Sequence, residues 1–408
     1  MRYDFAIIGG GLAGATLALA LSRMRAQSSA RLRILLLERK AMPSPRGDVV
    51  DARAIAISVG SLHALADLGI TDIFTANDNE IKKIHISDAG HMGRVFLSAE
   101  DYRLPYFGKV FSLSDVESEL YKRISHVESG IELVFSSSVV SISNDSLGKI
   151  IVTDSGKMYQ AKTVLISEGG DNKLCQSFGV EYIRKDFSQT AIVTSIRFSH
   201  SIPNLAWERF TASGPLAILP MGDNLYSIVW TVNAVDAARL IGLDKISFIN
   251  ELQQAFGFRA GKIIMLGNRQ SFPLHQSIAA NVVIDPNLIL FGNAAHMIHP
   301  VAGQGFNLTV RDIYQFVAGY AMKTLSAEPL SITHLMQEYN RTRMSDVNDV
   351  VYLTSSLINI FCASSFLVAH ARSFSLLAMA RNKLLRRLTV QAGAHMKISS
   401  GLPGVKYN

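Results

Sequence analysis

The chain reads as an α/β protein in which a parallel sheet, covered on both faces, is interrupted by an antiparallel one and followed by C-terminal helices. Three observations predict this. First, Tyr3–Ile8 is a short apolar run ending in a glycine cluster, a helix-like run follows from Leu12 to about Arg25, and Arg33–Glu38 (RILLLE) is a second apolar run of strand length. Strand, glycine turn, helix and strand make a βαβ unit, and strands apolar on both faces belong in a covered parallel sheet. Second, Thr163–Ser167 ends at Gly169-Gly170 and Asn287–Phe291 ends at Gly292, each a further buried strand opening into a loop. Third, alternating segments with turn chemistry lie between them. Ile81–Ile86 and Arg94–Leu97 flank a DAGHMG hairpin signal, and Ile150–Thr153 and Met158–Gln160 flank Asp154-Ser155-Gly156. Ile192–Phe198, Leu216–Leu219 and Tyr226–Val232 add period-two strands of an antiparallel sheet. The expected division is a discontinuous nucleotide domain (1–75, 101–180 and 276–330), a second domain (76–100 and 181–275) and a helical region (331–408).

Composition narrows the class. The 408 residues are 48% hydrophobic and 18% charged, with a mean hydropathy of +0.21, which excludes a disordered chain. Two cysteines, Cys175 and Cys362, make neither a disulfide framework nor a thiolate metal cage, and fit a reducing cytoplasm. The net charge of +7 is local. From Val350 onward there are seven basic and no acidic residues, and the remaining 349 residues balance at 33 of each sign. No basic stripe interleaved with aromatics appears elsewhere, so no nucleic-acid partner is expected. Phe5–Ser22 has the apolarity of a signal peptide, but Arg2 and Asp4 cancel before it and its glycines have another use. The expected location is cytoplasmic.

That use is Gly9-x-Gly11-x-x-Gly14, placed between strand and helix. The glycines allow a tight turn, close approach of backbone to a pyrophosphate, and close helix–strand packing, and the helix N-terminus attracts phosphate charge. Glu38 ends the next strand, where a carboxylate can accept both hydroxyls of an adenosine ribose. This is a Rossmann-type dinucleotide signature, and by itself it does not separate FAD from NAD. A later segment, FGNAAHMIHPVAGQGFNLTVRD (291–312), carries a strand end, a loop with His296, His299, Pro300, Gly303 and Gly305, and a helix starting near Phe306.

These two segments resemble the FAD signatures of the class A flavoprotein monooxygenases, which have the para-hydroxybenzoate-hydroxylase-like fold. Their second signature, G-D-A-A-H-x-x-x-P-x-x-G-Q-G-x-N, matches Gly292 to Asn307. The resemblance implies FAD held by Gly9, Gly11, Gly14, Glu38, Arg53, Asn293, Gly303, Gln304, Gly305 and Asn307, with His299 and Pro300 in a loop near the isoalloxazine. Amides at Gly303–Gly305 and a helix N-terminus suit the pyrimidine end of that ring, which gains negative charge on reduction. The family's usual Asp is Asn293 here, whose side chain can still bond a ribityl hydroxyl. Its A-D-G-x-x-S-x-x-R motif maps onto Ser167–Cys175 with Glu168, Asn172 and Cys175 at the aspartate, serine and arginine positions. An arginine near the flavin pyrophosphate, usual at the start of the helix near Ser114–Leu120, is also missing.

Within this fold the chain resembles the ubiquinone-biosynthesis hydroxylase family, the 2-polyprenyl-6-methoxyphenol hydroxylases above all, over almost its full length. The likeness rests on GGGLAGATLALALSR (9–23), GNAA (292–295), HPVAGQGFNLTVRD (299–312), SDAGHMG (87–93) with AEDY (99–102), and ERFTASGPLAILPM (208–221). It implies NAD(P)H as electron donor, dioxygen as oxidant and an electron-rich, polyprenylated phenol as substrate, with the flavin supplying the chemistry. No serine elbow, Walker loop or zinc motif competes. His296 and His299 stand three apart, but no Cys or carboxylate joins them nearby, so no metal is expected. Trp207, Arg209, Phe210, Pro220 and Trp230 of the antiparallel domain are candidate substrate-lining residues, and each is equally suited to ordinary packing. Two other readings stay open: a flavoenzyme of the same fold with another substrate, and a non-catalytic FAD-binding subunit of a quinone-biosynthesis complex.

Val350–Ala371 is uncharged and 22 residues long, enough to span a bilayer, but seven of its residues are polar, which favours packing on the FAD domain or on a partner. Beyond it, Leu377, Leu384 and Leu388 share a helical face while Arg381, Lys383, Arg386 and Arg387 crowd elsewhere. This is either a solvated basic face or a surface for the inner membrane, where each Lys or Arg contributes about 1 kcal/mol against anionic lipid. A polyprenylated substrate favours the second.

Overall fold

The computed structural model describes residues 2–24, 32–42, 53–74, 79–91, 93–126, 130–169, 173–325, 331–361 and Asn382. The basic face beyond Ala371 and the end of the uncharged stretch lie outside these residues. In chain order, β1 (Arg2–Ile8), α1 (Leu12–Arg23) and β2 (Ile34–Leu37) form the opening unit, followed by β3 (Ala54–Ser58), α2 (Val59–Asp67) and β4 (Glu80–Ile81). A hairpin, β5 (Lys83–Asp88) and β6 (Arg94–Ser98), precedes β7 (Gly108–Ser112), α3 (Leu113–Ile124) and β8 (Ile131–Val134). Then come β9 (Val139–Asp145), β10 (Gly148–Thr153), β11 (Met158–Ile166) and the short α4 (Lys173–Ser177).

The large antiparallel region runs through β12 (Tyr182–Phe198), β13 (Leu205–Thr211), β14 (Gly214–Pro220), β15 (Leu225–Asn233), α5 (Ala234–Gly242), α6 (Lys245–Phe256), β16 (Ile263–Leu266) and β17 (Gln270–Ala279). The chain ends through β18 (Val283–Asp285), β19 (Leu288–Leu290), β20 (His296–Met297), α7 (Gln304–Leu325) and α8 (Ile332–Phe361).

Three sheets result. The first has the order β18-β19-β11-β1-β2-β8, and β1 lies parallel between β11 and β2. Every residue of β2 is buried, as are Phe5, Ala6, Ile7 and Ile8 of β1, because α1 and α7 cover them; this is why both strands are apolar on both faces. β11 is longer than the sequence suggests. It begins as the hairpin partner of β10 and continues into parallel pairing with β1, so the expected Met158–Gln160 and Thr163–Ser167 are one strand. The second sheet has nine strands in the order β20-β17-β12-β15-β14-β13-β5-β6, with β16 on β12. The 83–98 hairpin joins it through a parallel β5–β13 pair, Leu205 to Phe210 against Lys83 to Asp88. β3, β7 and β4 form a small third sheet beside the first.

The first and second sheets are stitched together. β17 crosses the expected 275/276 boundary, and its far end pairs with β20, Ser277 with Met297 and Ile278 with His296. The loop after Gly292 is thereby hydrogen-bonded to the antiparallel sheet. Among the described residues no helix is long and apolar enough to cross a membrane.

The two faces of the large sheet differ. Side chains alternate along a strand, and directly paired residues share a face. Ile192, Trp207, Leu216, Ile218, Tyr226, Ile228 and Trp230 form one buried cluster with Phe248, Leu252 and Phe256 of α6. Ala206, Phe210, Val95 and Leu97 on the other face form a second cluster with Val59, Val110, Val301 and Ile358, outside the large sheet. We call these the helix face and the cofactor face.

Candidate FAD site and the surface opposite it

The glycine turn is shaped by contacts that a side chain would break. Gly9 has φ +98°, and a Cβ there would lie 2.7 Å from the Glu168 nitrogen; at Gly14 it would lie 1.9 Å from the Gly9 carbonyl oxygen. Ser167 Oγ donates to that carbonyl at 2.8 Å. By contrast, a Cβ at Gly11 would meet nothing within 4 Å. Gly11 is the residue capping α1, and the first turn of α1 carries no acidic residue. A positive helix end thus opens onto free space one residue from the tight turn, which suits a pyrophosphate. Glu38 stands beside it, Oε2 accepting from Gly10 N at 2.6 Å and Oε1 from Lys40 N at 2.8 Å; each oxygen keeps lone-pair capacity for a ribose hydroxyl.

The second glycine cluster meets the first from across the sheet. Gly292 presses on α1, where a Cβ would lie 2.9 Å from Cβ of Ala13, and Asn293 next to it is exposed. Gly303 has φ +62°, and its Cβ position would touch Ala56 at 3.5 Å, while Gly305 faces open space. Asn307 holds this turn. Its Oδ1 accepts from Ser58 N at 2.8 Å, and its Nδ2 donates to the carbonyls of Ala56 (2.9 Å) and Gly303 (2.8 Å). Asn307 therefore positions the cradle by fastening β3 to the start of α7. Gln304 is buried beside it. Arg53 is half-buried just ahead of β3, its carbonyl accepting from Leu113 N at 3.0 Å. Among the sequence-predicted residues, Gly11 and Gly305 are open glycine positions, each at the N-terminal end of a helix.

Two features were not legible beforehand. α3 lacks the arginine sought near Ser114–Leu120, but one position further on it presents Tyr121, whose hydroxyl donates to the Gly10 carbonyl at 2.8 Å. Burial, with Glu38 and Glu117 nearby, raises the Tyr121 pKa and keeps it a neutral donor. Glu168 and Arg39 form a 3.5 Å ion pair at the rim of the glycine turn. Burial raises the Glu168 pKa, Arg39 opposes that, and Glu38 adds to it. Cys175, at the family's arginine position, is a core residue with no exposed surface.

The histidine loop divides its labour. His296 Nε2 and Asp312 Oδ2 share a 2.5 Å hydrogen bond; Asp312 Oδ1 accepts from Arg343 Nε at 2.6 Å, and Arg343 reaches Asp346 of the same helix at 2.7 Å. Burial disfavours the Asp312 charge, yet His296 and Arg343 together hold its carboxyl below the ordinary range. β20, α7 and α8 are joined by this buried chain of charges. His299 instead accepts from Val301 N at 3.2 Å and packs edge-on against Phe187, with ring centroids 4.9 Å apart. Burial, aided by Lys185, lowers its pKa to about 4, so the imidazole is neutral near pH 7. Pro300 next to it is exposed. Among the described residues, no group of three His, Cys, Asp or Glu side chains is placed to hold a metal ion.

The family described as FAD binding domain matches residues 2–352. The chain belongs to this family. It is a FAD-dependent monooxygenase of the para-hydroxybenzoate-hydroxylase-like fold, and the open glycine positions, Glu38 and the two helix ends are the residues of this chain that fit the cofactor. A ubiquinone hydroxylase (UbiL) of Rhodospirillum rubrum is 28% identical over 389 residues, 94% of this chain and 88% of that protein. The 3-demethoxyubiquinol 3-hydroxylase of Escherichia coli is 26% identical, covering 84% of this chain and 86% of its own length. Klebsiella pneumoniae HpxO, solved with FAD and uric acid, superposes with a TM-score of 0.74 at 15% identity, over 95% of this chain and 96% of its own.

The substrate-lining expectation needs correction at four of five residues. Trp207, Pro220 and Trp230 project onto the helix face: Trp207 pairs with Ile218, Pro220 with Tyr226 and Trp230 with Leu216, all on the side of α6. Arg209 follows Trp207 by two and points the same way, its Nε donating to the Ala255 carbonyl of α6 at 2.8 Å and its Nη1 to Ser87 Oγ at 3.3 Å. These four are packing residues. Phe210 alone lies on the cofactor face, in the cluster that includes Val301, with Leu219, Met221, Ala54, Ala56 and Phe187 packed against it. Sequence reasoning could not see which parity of these strands faced α6.

Proposed function

We propose that the chain is an aerobic hydroxylase that inserts one atom of dioxygen into a polyprenylated methoxyphenol during ubiquinone biosynthesis, with NAD(P)H as reductant. The observation that carries this reading is the cofactor face itself. An apolar, aromatic-rich sheet surface is apposed to the Val301–Gly303 turn of the FAD cradle, which is the chemistry a hydrophobic aromatic substrate requires. The near full-length likeness to a ubiquinone hydroxylase supports it. When bound, FAD supplies the redox chemistry. The chain's own residues do the rest: Gly11 and the α1 N-terminus hold phosphate charge, Glu38 the ribose, and the Gly303–Gly305 turn with α7 faces the ring end that gains charge. Phe210, Leu219, Phe187 and Val301 exclude water from the opposed surface, and neutral His299 adds a hydrogen-bonding group without adding charge. Association with other quinone-biosynthesis subunits, and peripheral membrane contact through the basic C-terminal region, belong to the same reading.

The test is deletion of the gene in its host, growth in air and mass spectrometry of quinone-pathway lipids. Loss of ubiquinone with accumulation of a polyprenyl methoxyphenol one oxygen short is the expected result, rescued by the wild-type gene and not by a variant that folds without FAD. An unchanged quinone pool in a host with no second hydroxylase overturns the reading. Rescue by the FAD-free variant would instead favour a scaffolding subunit, which the core position of Cys175 would suit.

A further inference from the structure

Glu208 has no role in anything described so far, and its setting is costly. It lies on β13 between Trp207 and Arg209, which face the helices, so it points to the cofactor face with Ala206 and Phe210. Its directly paired neighbours there are Ala217 of β14 and Ile86 of β5. The residue as a whole is half-buried, so part of it borders open space, yet Oε1 is sealed and has no hydrogen-bond partner. A carboxyl in such surroundings loses its hydration without compensation, an arrangement that natural cores avoid unless the group has a task.

The charges around it do not explain it. On its own strand, Arg209 points away. On β5, Asp88 shares the face two positions beyond Ile86 and is engaged by His91 at 3.0 Å. The same-face positions of β14 and β6 are Ala217, Leu219, Val95 and Leu97. The titratable groups of the surrounding cluster are Tyr102, Tyr106 and, through Phe187, His299. Burial alone raises the Glu208 pKa, to about 7. The location is equally specific: β14 packs on the Val301–Gly303 turn, and Glu208 is one strand further along the same surface.

A phenol buried on this surface brings one hydrogen-bond donor and needs one acceptor. We propose that Glu208 is that acceptor, its half-buried carboxyl binding the substrate's phenolic hydroxyl and taking up its proton as the ring becomes nucleophilic. This rests on the phenol-hydroxylase reading above. The phenol O–H bond breaks, an O–H bond forms on the Glu208 carboxyl, and the electron pair stays on the phenol oxygen and is delocalised into the ring. When the hydroxylated ring carbon loses its own proton to water and aromaticity returns, the Glu208 carboxyl gives its proton back to the phenol oxygen. A free phenol has a pKa of about 10, so transfer to this carboxyl is uphill in the ground state and grows favourable only as the ring reacts, which is general-base behaviour.

The experiment uses the FAD-loaded full chain with 2-geranyl-6-methoxyphenol as probe, and its O-methyl ether, which cannot donate. On the wild-type protein, calorimetry is expected to show the phenol binding at least about tenfold tighter than the ether, the scale of one hydrogen bond to a charged acceptor. Glu208→Gln, checked for full FAD content and an intact melting transition, should narrow that gap. It should also lower kcat by about a hundredfold or more with a much smaller change in KM, and remove an inflection near pH 7 from the kcat profile; Glu208→Asp should restore part of the rate. Equal affinities for phenol and ether overturn the assignment without any variant, as does a Glu208→Gln protein with wild-type kcat and inflection. A wild-type enzyme that neither binds nor hydroxylates the probe, while a different phenol is turned over and still depends on Glu208, would instead sink the substrate class and leave the residue's role standing.

Discussion

The helix face and the cofactor face of the large sheet are made by the same strands, yet they are built to opposite rules. On the helix face the aromatic rings of Phe198, Trp207, Tyr226 and Phe256 meet edge-on or tilted within 5.2–6.2 Å of one another. Arg209 is tied to α6 by a carbonyl. This is a packed interior. The cofactor face is apolar too, but it carries a carboxyl oxygen without a partner at Glu208 and, across the cluster, an imidazole with a sealed, unpartnered Nε2 at His299. The helix face has sealed, unpartnered nitrogens of its own at His85 and Trp230, so what marks the other face is an acidic group, Glu208, on the surface that carries the Val301–Gly303 turn. Equal burial on both faces therefore hides unequal purpose, and the half-buried carboxyl of Glu208 marks the difference.

The largest effects should fall on stability and spare chemistry. Trp207→Ala removes the centre of the aromatic cluster and should cost roughly 3–5 kcal/mol, read as a drop in melting temperature, with kcat per FAD-loaded molecule retained. A large loss of kcat with unchanged melting would mean that the helix face takes part in the reaction. Asp312→Asn tests the stitch between the faces. It leaves Arg343 buried with Asp346 as its remaining charge partner and removes the charge from the His296–Asp312 bond that joins β20 to α7. Removing one member of a buried charge chain costs roughly 3–5 kcal/mol, and here it should also weaken FAD retention on gel filtration, because the histidine loop leads directly into the cradle.

Much of this architecture was legible in the sequence. The βαβ opening, the hairpins and the two glycine signatures could be placed because glycine positions and apolar periods are local facts. A Cβ at Gly9 or Gly14 would lie within 2.7 Å of backbone, while at Gly11 it would meet nothing within 4 Å. What was not legible is non-local. The parity of β13 depends on its pairing with β5, more than a hundred residues earlier, so Trp207 and Arg209 looked like lining while Glu208 between them passed unremarked. Tyr121 replaces a sought arginine with a hydroxyl to a carbonyl, a contact that no spacing announces. Asn307, expected at the cofactor, is spent on Ser58, Ala56 and Gly303, a role that depends on a strand some 250 positions away.

The next effect is a difference in pH dependence. Glu208 is raised from its ordinary 4.5 to about 7 in the folded chain, so the folded state holds a proton that the unfolded state has released. Stability is therefore fully present below about pH 4.5 and falls as pH rises to about 7, by about 3 kcal/mol at 1.36 kcal/mol per unit. His299 runs the other way. Its pKa is lowered from 6.5 to about 4, so it is the unfolded state that binds the extra proton, and this group adds stability as pH rises from about 4 to 6.5. The two slopes oppose each other in the wild-type protein. Denaturant titrations of Glu208→Gln should uncover the rising slope alone, and a variant whose curve parallels the wild type would show that the carboxyl is not sealed.

The smallest effect sharpens the comparison most. Phe210→Leu on the cofactor face and Trp230→Phe on the helix face both trim a buried aromatic without emptying its site, and each should cost about 1–2 kcal/mol. Their stabilities should be close to equal, so any difference in kinetics reports the face and not the fold. Phe210 belongs to the cluster that contains Val301, so its loss should raise KM for a prenylated phenol several-fold at nearly constant kcat, the signature of lost uniform binding. Trp230, against Phe248 of α6 at 6.0 Å, should leave KM where it was. Equal shifts in KM for the two variants would mean that the sheet transmits packing changes to the substrate as one unit, and the division into a packing face and a substrate face would fail.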